Sequence, residues 1–530
     1  MTTHILSNGK IYTFDPTRPK AWGLIIEDGM ITGLLHQEQD MGTRSDVKHE
    51  NLDGKTVLPG FTDAHIHLKQ YALTLQKVDC ETDTKNECLQ RVAARAKKLE
   101  PGTWILGHGW DQNRWEEGYG SREELDEFVP HHPVYLTAKS LHAAWVNSAA
   151  LTSAHVNKNT PDPQGGRLSR DRKGKLTGLL FENAIPLVAD HIPQPSLPET
   201  IRALQDAQRS LWSLGVTGAH DFDRHLSFAA LQELQGNADL KLRVTKHINI
   251  QKLNAAVDIG LRSGFGNSML QIGGIKAFAD GALGPQTAAM LKPYEGGESR
   301  GVLLLPAEEI VQKGILAVQN GLSLAIHAIG DRANREVLNA YERIRAYEER
   351  HHLPPLRHRI EHAQVLDPAD CDRLSRLGII ASMQPIHATS DMETAARYWG
   401  ARTQYAYAWR TLLDHSTPLA FGSDAPVESP DPFLGIHAAV TRQTPSGEPA
   451  PHGWKPEQRI SLEEALEAYT IGAAYAAGQE NRVGRLQPGY WADLIVLEKD
   501  PFSSPSKDLL STHPLATMVN GEWVWRLESS

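Results

Sequence analysis

Two histidines separated by one residue, His65 and His67, are the first side chains in this sequence whose spacing suggests a definite chemistry. They end the run VLPGFTDAHIH, which has the composition of a buried β-strand. Residues i and i+2 of a strand point to the same face, so both imidazoles can reach one metal ion. The alternative is a pair of buried, hydrogen-bonded histidines, and ligands elsewhere in the chain decide between the two interpretations.

Further nitrogen and oxygen ligands occur in later strand-like runs, close to where each run ends. Lys276 lies in IGGIKAF, His327 ends LSLAIH, His362 ends RIEH and Asp424 ends LAFGSD. Imidazole and carboxylate are ligands that zinc prefers, so the set predicts a metal-dependent hydrolase. For Lys276 a surface or ion-pairing role is the alternative. His358 competes with His362, which is nearer to the C-terminal end of its run.

These side chains need elements that bring the ends of distant runs together. Eight β-like runs alternate with amphipathic helical stretches such as 307–320, where Val311, Ile315 and Val318 recur at helical spacing. The runs span 61–67, 216–222, 242–250, 272–279, 322–329, 357–364, 379–385 and 418–424. This alternation predicts an α/β fold, a (β/α)8 TIM-type barrel, with the chemistry at the C-terminal ends of its strands.

Two parts of the chain lie outside this alternation. Residues 1–57 and 480–530 have the pattern of short strands with Asn-Gly and Asp-Gly turns, and neither part can bury a sheet alone. We expect them to form one small β-sandwich domain, with residues 58–479 as the barrel domain. About 150 residues separate the first two runs, which is far more than a crossover needs. An inserted subdomain at about 70–200, with a hairpin around 166–176, is therefore predicted after strand 1.

Composition excludes several classes of partner. The formal net charge of -10 argues against nucleic acid, because binding phosphates requires a basic face. The three cysteines allow neither a disulfide framework nor a cysteine-rich zinc site. No stretch approaches twenty apolar residues, so no membrane partner is expected and a cytoplasmic location is predicted. The expected partners are a small-molecule substrate and, on base rates, a second copy in a homodimer.

Taken together, the motifs resemble those of the amidohydrolase superfamily, and more narrowly the amidohydrolase family 3 branch, which includes N-substituted formamide deformylases. The matching stretches are LPGFTDAHIH at 58–67, KAFADG at 276–281, HAIGDRA at 327–333, RIEHAQ at 359–364, GSDAPV at 422–427, and GRL at 484–486 with DLIV at 493–496. The resemblance runs nearly end to end and is weakest in the insertion. It implies the same barrel and hydrolysis of a non-peptide, amide-type C–N bond.

The resemblance also implies a binuclear site with two divalent metal ions, zinc being the first choice. The implied ligands are His65, His67 and Asp424 for one ion and His327 and His362 for the other. Lys276 matches the position of a lysine that bridges both ions as a carbamate. The implied catalytic residue is Asp424, which takes a proton from a metal-activated hydroxide or water and passes it to the leaving nitrogen.

Three further residues are predicted to bind the substrate: Trp110, His142 and Asp280. The first two lie in GHGWD and LHAAWVN of the insertion, stretches that resemble family segments near the substrate. A tryptophan-rich core of the subdomain is the alternative for both. Asp280 could also orient a histidine, or simply begin a turn with Gly281, and the N-cap of the next helix is the expected role of Asp331.

Other functions on the same barrel stay open at this point. A mononuclear deaminase needs no lysine, and such enzymes commonly carry a glutamate three residues after the fifth-strand histidine. That position is Gly330 in this chain, which weakens the deaminase hypothesis. An ester or lactone hydrolase would use the same metal site. A catalytically silent barrel is the non-enzymatic alternative, and the complete set of ligand positions argues against it.

Overall fold

A computed structural model of the protein describes residues 3–41, 47–140 and 142–528. The chain divides into two compact units, one made of residues 1–71 with 204–530 and the other of residues 72–203. Over the described ranges, no helix is both long enough and apolar enough to cross a membrane.

A parallel β-barrel is the centre of the first unit. Within the described ranges it has eight strands that neighbour one another in chain order. Barrel strands 1 to 8 are Phe61–Ile66, Val216–Asp221, Arg243–Asn249, Leu270–Phe278, Ser323–Ala328, Arg359–His362, Ile380–Met383 and Leu419–Phe421. Each of the eight β-like runs falls on one of these strands, and the predicted TIM-type barrel with an additional β-domain is confirmed.

Strands 8 and 1 meet through the carboxylate of Asp63, which is buried. It accepts hydrogen bonds from the backbone N–H groups of Ser423 and His65, both at 3.0 Å, and from the Ser423 hydroxyl. The backbone N–H of Asp424 donates to the carbonyl of His65 over 2.7 Å. The junction that closes the barrel therefore also fixes two predicted ligands relative to each other.

Helices surround the barrel because their apolar faces cover the outer side of its strands. Those longer than six residues are Leu68–Thr74, Leu197–Ser213, His225–Gly236, Ala307–Gln319, Asp331–Arg350, Met392–Trp399 and Pro432–Thr441. Shorter helices are Leu253–Asp258, Arg373–Arg376, Pro385–Ser390, Trp409–Asp414, Leu462–Glu467 and Ala473–Ala477. Gly314 lets two of them approach closely, since a Cβ there would lie 2.4 Å from the Ile344 side chain. The helix predicted at 307–320 is thus present, with its buried stripe toward the core.

Two further sheets in the first unit are built from the ends of the chain, one from N-terminal strands alone and the other from strands of both ends. In the described ranges, one sheet has the strand order Met30–Leu35, Gly23–Glu27, Thr3–Ser7 and Lys48–Asn51. The other has the order Glu522–Arg526, Pro514–Val519, Leu494–Leu497, Thr56–Pro59, Lys10–Tyr12 and Lys20–Ala21. Leu6, Val57, Leu494 and Met518 belong to one buried cluster, so the N- and C-terminal segments share a core.

The second unit is built on a sheet of its own. Its strand order within the described ranges is Gly166–Arg170, Leu176–Glu182, Ala143–Val146, Val134–Ala138, Ile105–Trp110 and Val78–Asp79. The first two strands form the hairpin predicted around 166–176. The helices are Lys85–Ala96, Arg122–Phe128, Ser148–Ser153 and Pro186–Ala189. The core contains three tryptophans, Trp110, Trp115 and Trp145.

Candidate metal centre

Three of the predicted ligands converge at the C-terminal end of the barrel. The ligand atoms of His65, His67 and Asp424 all lie within 4.8 Å of one another. Oδ1 of Asp424 is 3.5 Å from Nε2 of His65 and 3.4 Å from Nε2 of His67. Nζ of Lys276 lies 3.5 Å from the same Nε2 of His65, so strands 1 and 4 and the loop after strand 8 meet here.

The other two predicted ligands lie beside this group. The ring centre of His362 is 4.9 Å from that of His65 and 4.5 Å from that of His327. The competing candidate, His358, is elsewhere: its Nε2 is 3.2 Å from Glu348, and its Nδ1 accepts a hydrogen bond from a backbone N–H. The structure thus gathers all six predicted ligands and leaves His358 outside.

Local backbone geometry turns two of these ligands inward. His362 has φ 73° and Asp424 has φ 60°, in the left-handed region that non-glycine residues rarely adopt. Such a residue costs of order 1–3 kcal/mol and persists only where the surroundings impose it, often at functional sites. Because His362 leaves the extended conformation, it and its neighbour Glu361 both reach the barrel interior.

Two histidines have one ring nitrogen fixed by a side-chain acceptor. Nδ1 of His65 is 2.7 Å from Oε2 of Glu361, and Nδ1 of His362 is 2.7 Å from Oε1 of Gln384. Both partners are acceptors, so in each ring Nδ1 carries the proton and donates it. This leaves the lone pair of Nε2 toward the centre, as metal ligation requires.

The remaining two histidines are oriented in the same manner. Nε2 of His327 is 2.9 Å from the carbonyl oxygen of Gly281, so the lone pair of this ring is on Nδ1. Nδ1 of His67 lies 3.6 Å from Oδ1 of Asp223, whose carboxylate also accepts hydrogen bonds from backbone N–H groups that follow His67. His65, His362 and His327 therefore each have one nitrogen engaged by a hydrogen bond and one available, whereas His67 lies near Asp223 without a hydrogen bond at Nδ1 among the described residues.

A buried ion pair fixes the carboxylate that orients His65. Nε of Arg359 is 2.8 Å from Oε1 of Glu361, and its Nη2 donates to Oε2 over 3.1 Å. Both side chains are almost completely buried. The guanidinium also donates to the carbonyl of Ala64 and to Nδ1 of His220, each over 2.7 Å. Arg359 thus ties the carboxylate that holds His65 to the strand that carries His65.

The electrostatics of the group suit a divalent cation. Burial and the charge of Lys276 hold the pKa of His65 well below its ordinary value, and burial lowers the pKa of His327 to about 4, so both rings are neutral. Burial alone would raise the pKa of Asp424, but the hydrogen bond from His67 and nearby histidines hold it well below the ordinary value. Neutral imidazoles and an ionised carboxylate are the forms that bind metals.

His67 is the exception, because its pKa is raised. Burial lowers the pKa, but the carboxylates of Asp223 and Asp424 outweigh burial and bring it to about 9. These two carboxylates favour a positive charge beside them, which a proton on His67 supplies in the absence of a metal ion. A divalent cation among the same ligands would supply it instead, so the donor set fits a metal.

For Asp280, substrate binding and the orientation of a histidine are the two alternatives. Its carboxylate is 1% exposed and accepts backbone N–H groups of Ala289, Ile329 and Gly330 at 2.8 to 3.0 Å. Oδ1 is also 3.5 Å from Nε2 of His327. These contacts favour the orienting role of Asp280, and its substrate-binding role stays a prediction.

Asp331 also differs from the prediction that it caps a helix. It is the first residue of the helix Asp331–Arg350, whose N-cap is Gly330. Its carboxylate accepts the backbone N–H of Leu291 over 2.8 Å and so fixes a loop. The partner lies forty residues away in the chain, and no local pattern of the sequence indicates it.

Trp110 and His142 both belong to the second unit. Trp110 is 1% exposed, stacks on Trp115 with ring centres 6.2 Å apart, and donates its indole N–H to the carbonyl of Leu136. Trp110 is therefore a core residue of this unit. This was the alternative to the predicted substrate contact, and the structure supports the alternative. His142 is exposed and lies 3.0 Å from Glu182, and its substrate-binding role stays a prediction.

Sequence reasoning missed several residues that hold the ligands. They are Glu361, Arg359, Gln384 and Asp223. Also missed was His387, three residues after Gln384, which lies beside Asp424. One signal was available for the ion pair, since Arg359 and Glu361 stand two residues apart and so share a face of strand 6. Charged side chains facing a barrel interior have to be paired, and that requirement points to a function.

With this geometry established, comparison with known proteins places the chain. A model described as the amidohydrolase family matches residues 48–525. The chain belongs to this family. A crystal structure of an uncharacterized metal-dependent hydrolase from Pyrococcus furiosus is 29% identical with a TM-score of 0.78, covering 94% of this chain and 100% of that one.

Curated relatives of this amidohydrolase extend along nearly the whole chain. Protein LONG AFTER FAR-RED 3 of Arabidopsis thaliana is 34% identical over 538 residues, covering 98% of this chain and 91% of the relative. N-substituted formamide deformylase of Arthrobacter pascens is 28% identical over 541 residues, covering 98% and 97%. The chain is a metal-dependent hydrolase that acts on carbon–nitrogen bonds other than peptide bonds.

Proposed function

We propose that this amidohydrolase uses two divalent metal ions, zinc being the first choice, to hydrolyse the amide bond of a small molecule. The observation that carries the proposal is the gathering of six ligand side chains at one barrel end. Lys276 lies 3.5 Å from His65 within that group. A mononuclear site would need neither the lysine nor the full set of histidines.

The ligands divide into two groups joined by the lysine. His65, His67 and Asp424 would hold one ion, and His327 and His362 the other. When bound, the ions would lower the pKa of a water molecule and polarise the substrate carbonyl. Linking the two groups of ligands and transferring the proton are assigned to side chains of the protein.

Lys276 requires a modification to join the groups, because an ammonium has three donors and no acceptor. The buried side chain, 2% exposed, has its pKa lowered to about 8 by burial. A neutral amine adds to carbon dioxide, forming one C–N bond and releasing one proton, and the resulting carbamate has two acceptor oxygens. We propose that the carbamate of Lys276 bridges the two ions.

Asp424 has the geometry of the proton carrier. It is ionised, its Oδ1 faces His65 and His67, and its backbone is held by the N–H bond to the carbonyl of His65. We assign to it the removal of a proton from the attacking water and the transfer of that proton to the leaving nitrogen. The products are then a carboxylic acid and an amine.

A mononuclear deaminase is the second candidate, and Gly330 argues against it. A Cβ at this residue would lie 2.0 Å from the carbonyl oxygen of Ala289, and backbone cannot yield as a flexible side chain does. A glutamate that shuttles protons from this position is therefore excluded by space. An ester or lactone hydrolase would use every proposed ligand, so only substrate tests distinguish it from the proposed amide hydrolase.

Metal counting combined with a substrate panel tests the proposal. We expect two tightly bound divalent ions per chain and chelator-sensitive hydrolysis, with release of an amine from formamides or N-acyl amino acids or with ring opening of cyclic amides. N-substituted formamides come first in the panel because a relative is named for that activity. One ion with release of ammonia would favour the deaminase, and turnover of lactones alone would favour the ester-type hydrolase.

Variants of the lysine separate its bridging role from a structural one. Lys276→Ala should lose the second ion and most activity, and a short-chain carboxylic acid added in excess should restore both in part. Lys313→Ala serves as the matched control, because Lys313 lies in the helix Ala307–Gln319 and pairs only with Glu309 at 3.3 Å among the partners that the structure describes. A Lys276→Ala protein with two ions and full activity would refute the bridging role.

A further inference from the structure

One buried imidazole at the metal centre is not among the six proposed ligands. His387 lies in the helix Pro385–Ser390, which follows barrel strand 7, and its side chain is 9% exposed. Its Nε2 has no hydrogen-bond partner among the residues that the structure describes. The same atom is 3.8 Å from Oδ2 of Asp424, so it points toward the proposed reaction centre.

The two oxygens of Asp424 therefore face different groups. Oδ1 is within 3.5 Å of the Nε2 atoms of His65 and His67, which are proposed to hold one ion. Oδ2 faces His387. A separation of 3.8 Å is too long for a hydrogen bond but leaves room for a group that contacts both atoms. A proton leaving Asp424 toward the leaving nitrogen would emerge on this side.

A carboxylate also lies near the other ring nitrogen of His387. Nδ1 lies 3.9 Å from Oδ2 of Asp391, and that oxygen accepts a hydrogen bond from the hydroxyl of Tyr407 over 2.8 Å. Oδ2 of Asp424 lies about as far from Nε2 as Oδ2 of Asp391 lies from Nδ1. A metal ion bound to Asp424 would, however, offset the charge on the Nε2 side, so Asp391 would then favour the proton on Nδ1. Nε2 is then a lone-pair acceptor, and it lies beside another acceptor with no donor between them in the part of the chain that is described.

We propose that Nε2 of His387 accepts a hydrogen bond from the N–H of the substrate amide and so holds the leaving nitrogen against Asp424. This inference rests on the proposed function and deepens it. A buried acceptor without a partner is unfavourable, and a donor arriving with the substrate removes that penalty. The substrate class is therefore amides that keep an N–H, in preference to N,N-disubstituted amides and esters.

Binding of two hydroxamates to the metal-loaded full chain tests this without turnover. Acetohydroxamic acid carries an N–H, and N-methylacetohydroxamic acid replaces it with N–CH3. Because one hydrogen bond distinguishes them, calorimetry should show about 3- to 10-fold tighter binding of the first by the unmodified protein. In His387→Phe, which fills similar space without an acceptor, the ratio should fall to about 1, with the metal content unchanged.

Two more variants keep the result interpretable. His387→Gln retains an acceptor oxygen and should preserve part of the ratio, and it covers the case in which His387→Phe does not fold. His437→Gln removes another buried imidazole, in the helix Pro432–Thr441, and should leave the ratio unchanged. A full ratio in a folded, metal-loaded His387→Phe would overturn the inference.

The outcomes for the unmodified protein also separate the two proposals. Equal binding of the two hydroxamates would overturn the role of His387 and leave the metal-dependent amidohydrolase intact. If metal-loaded protein binds neither hydroxamate, the proposed metal centre fails and the role of His387 fails with it.

Discussion

Replacing Glu361 by glutamine should weaken metal binding although it leaves all six proposed ligands in place. The substitution preserves shape but exchanges one carboxylate oxygen for an amide NH2 group. If the amide oxygen accepts from Nδ1 of His65, the NH2 group faces Nε of Arg359 at a spacing of 2.8 Å, and two donors oppose each other. If the amide is reversed, Nδ1 of His65 becomes the acceptor. Its proton then moves to Nε2 and blocks the metal.

The magnitude follows from the burial of the pair and from the hydrogen bonds that the substitution removes. Loss of a partner that orients a metal-ligating histidine typically reduces metal affinity 10- to 100-fold, or about 1.4–2.7 kcal/mol. Glu361 and Arg359 are 0% and 1% exposed, so removing one charge leaves the other buried without compensation. Breaking a buried pair in this way costs about 3–5 kcal/mol of unfolding free energy. Both effects are expected together.

Competition with a chelator measures the affinity, and calorimetric unfolding of the metal-free protein measures the stability. Asp493→Asn is the matched control, because Asp493 forms a buried pair with Arg243, Nη2 to Oδ1 over 2.9 Å, that contacts none of the proposed ligands. It should lose stability and keep the metal affinity. If Glu361→Gln binds both ions as tightly as the unmodified protein, the orienting role of Glu361 is wrong.

Two further predictions concern stability alone. Burial raises the pKa of Glu348, but the hydrogen bonds and charges of His358 and Arg345 together outweigh burial, and the net pKa is lowered. The stabilisation from Glu348 is therefore present above its unfolded-state pKa and is lost as the pH falls through its folded-state pKa. Glu348→Gln should therefore cost about 1–3 kcal/mol at pH 7, and the difference in melting temperature should shrink below about pH 4.5; a pH-independent difference would contradict this. Gly330→Ala should reduce the free energy of unfolding by about 1–3 kcal/mol, and so lower the melting temperature, because it crowds the backbone of Ala289. Gly236→Ala, with open space at its Cβ, should lower neither.

The barrel and its ligands were predictable because two patterns in the sequence coincide. Apolar runs of strand length alternate with helical stretches, and chemically competent side chains recur near the end of several runs. His65 and His67 satisfy the two-residue spacing of a strand, and Asp424 follows the eighth strand after a short loop. A parallel barrel brings the C-terminal ends of all its strands to one rim. Residues hundreds of positions apart could therefore be grouped from their places at the ends of successive strands in the sequence.

The side chains that fix those ligands follow no such rule. Gln384 and Asp223 are positioned by loops after strands 7 and 2, and amide or carboxylate groups in loops have many ordinary uses. Trp110 shows the opposite error, because a tryptophan beside motif-like glycines was assigned to a pocket although it completes the core of its own unit. Residue type alone, without knowledge of long-range contacts, does not distinguish a residue of the site from a core or ordinary loop residue.

Glu361 and His362 show why the inner layer is hard to predict from sequence. Strict alternation along strand 6 allows only one of two neighbours to face the interior, so accepting His362 as a ligand assigns Glu361 to the opposite face. The left-handed backbone at His362, φ 73°, breaks the alternation at the residue where the strand ends, and both side chains reach the centre. A ligand such as His362 and a group that orients a different ligand, as Glu361 orients His65, can therefore face the centre from adjacent positions only where tertiary structure overrides the local preference.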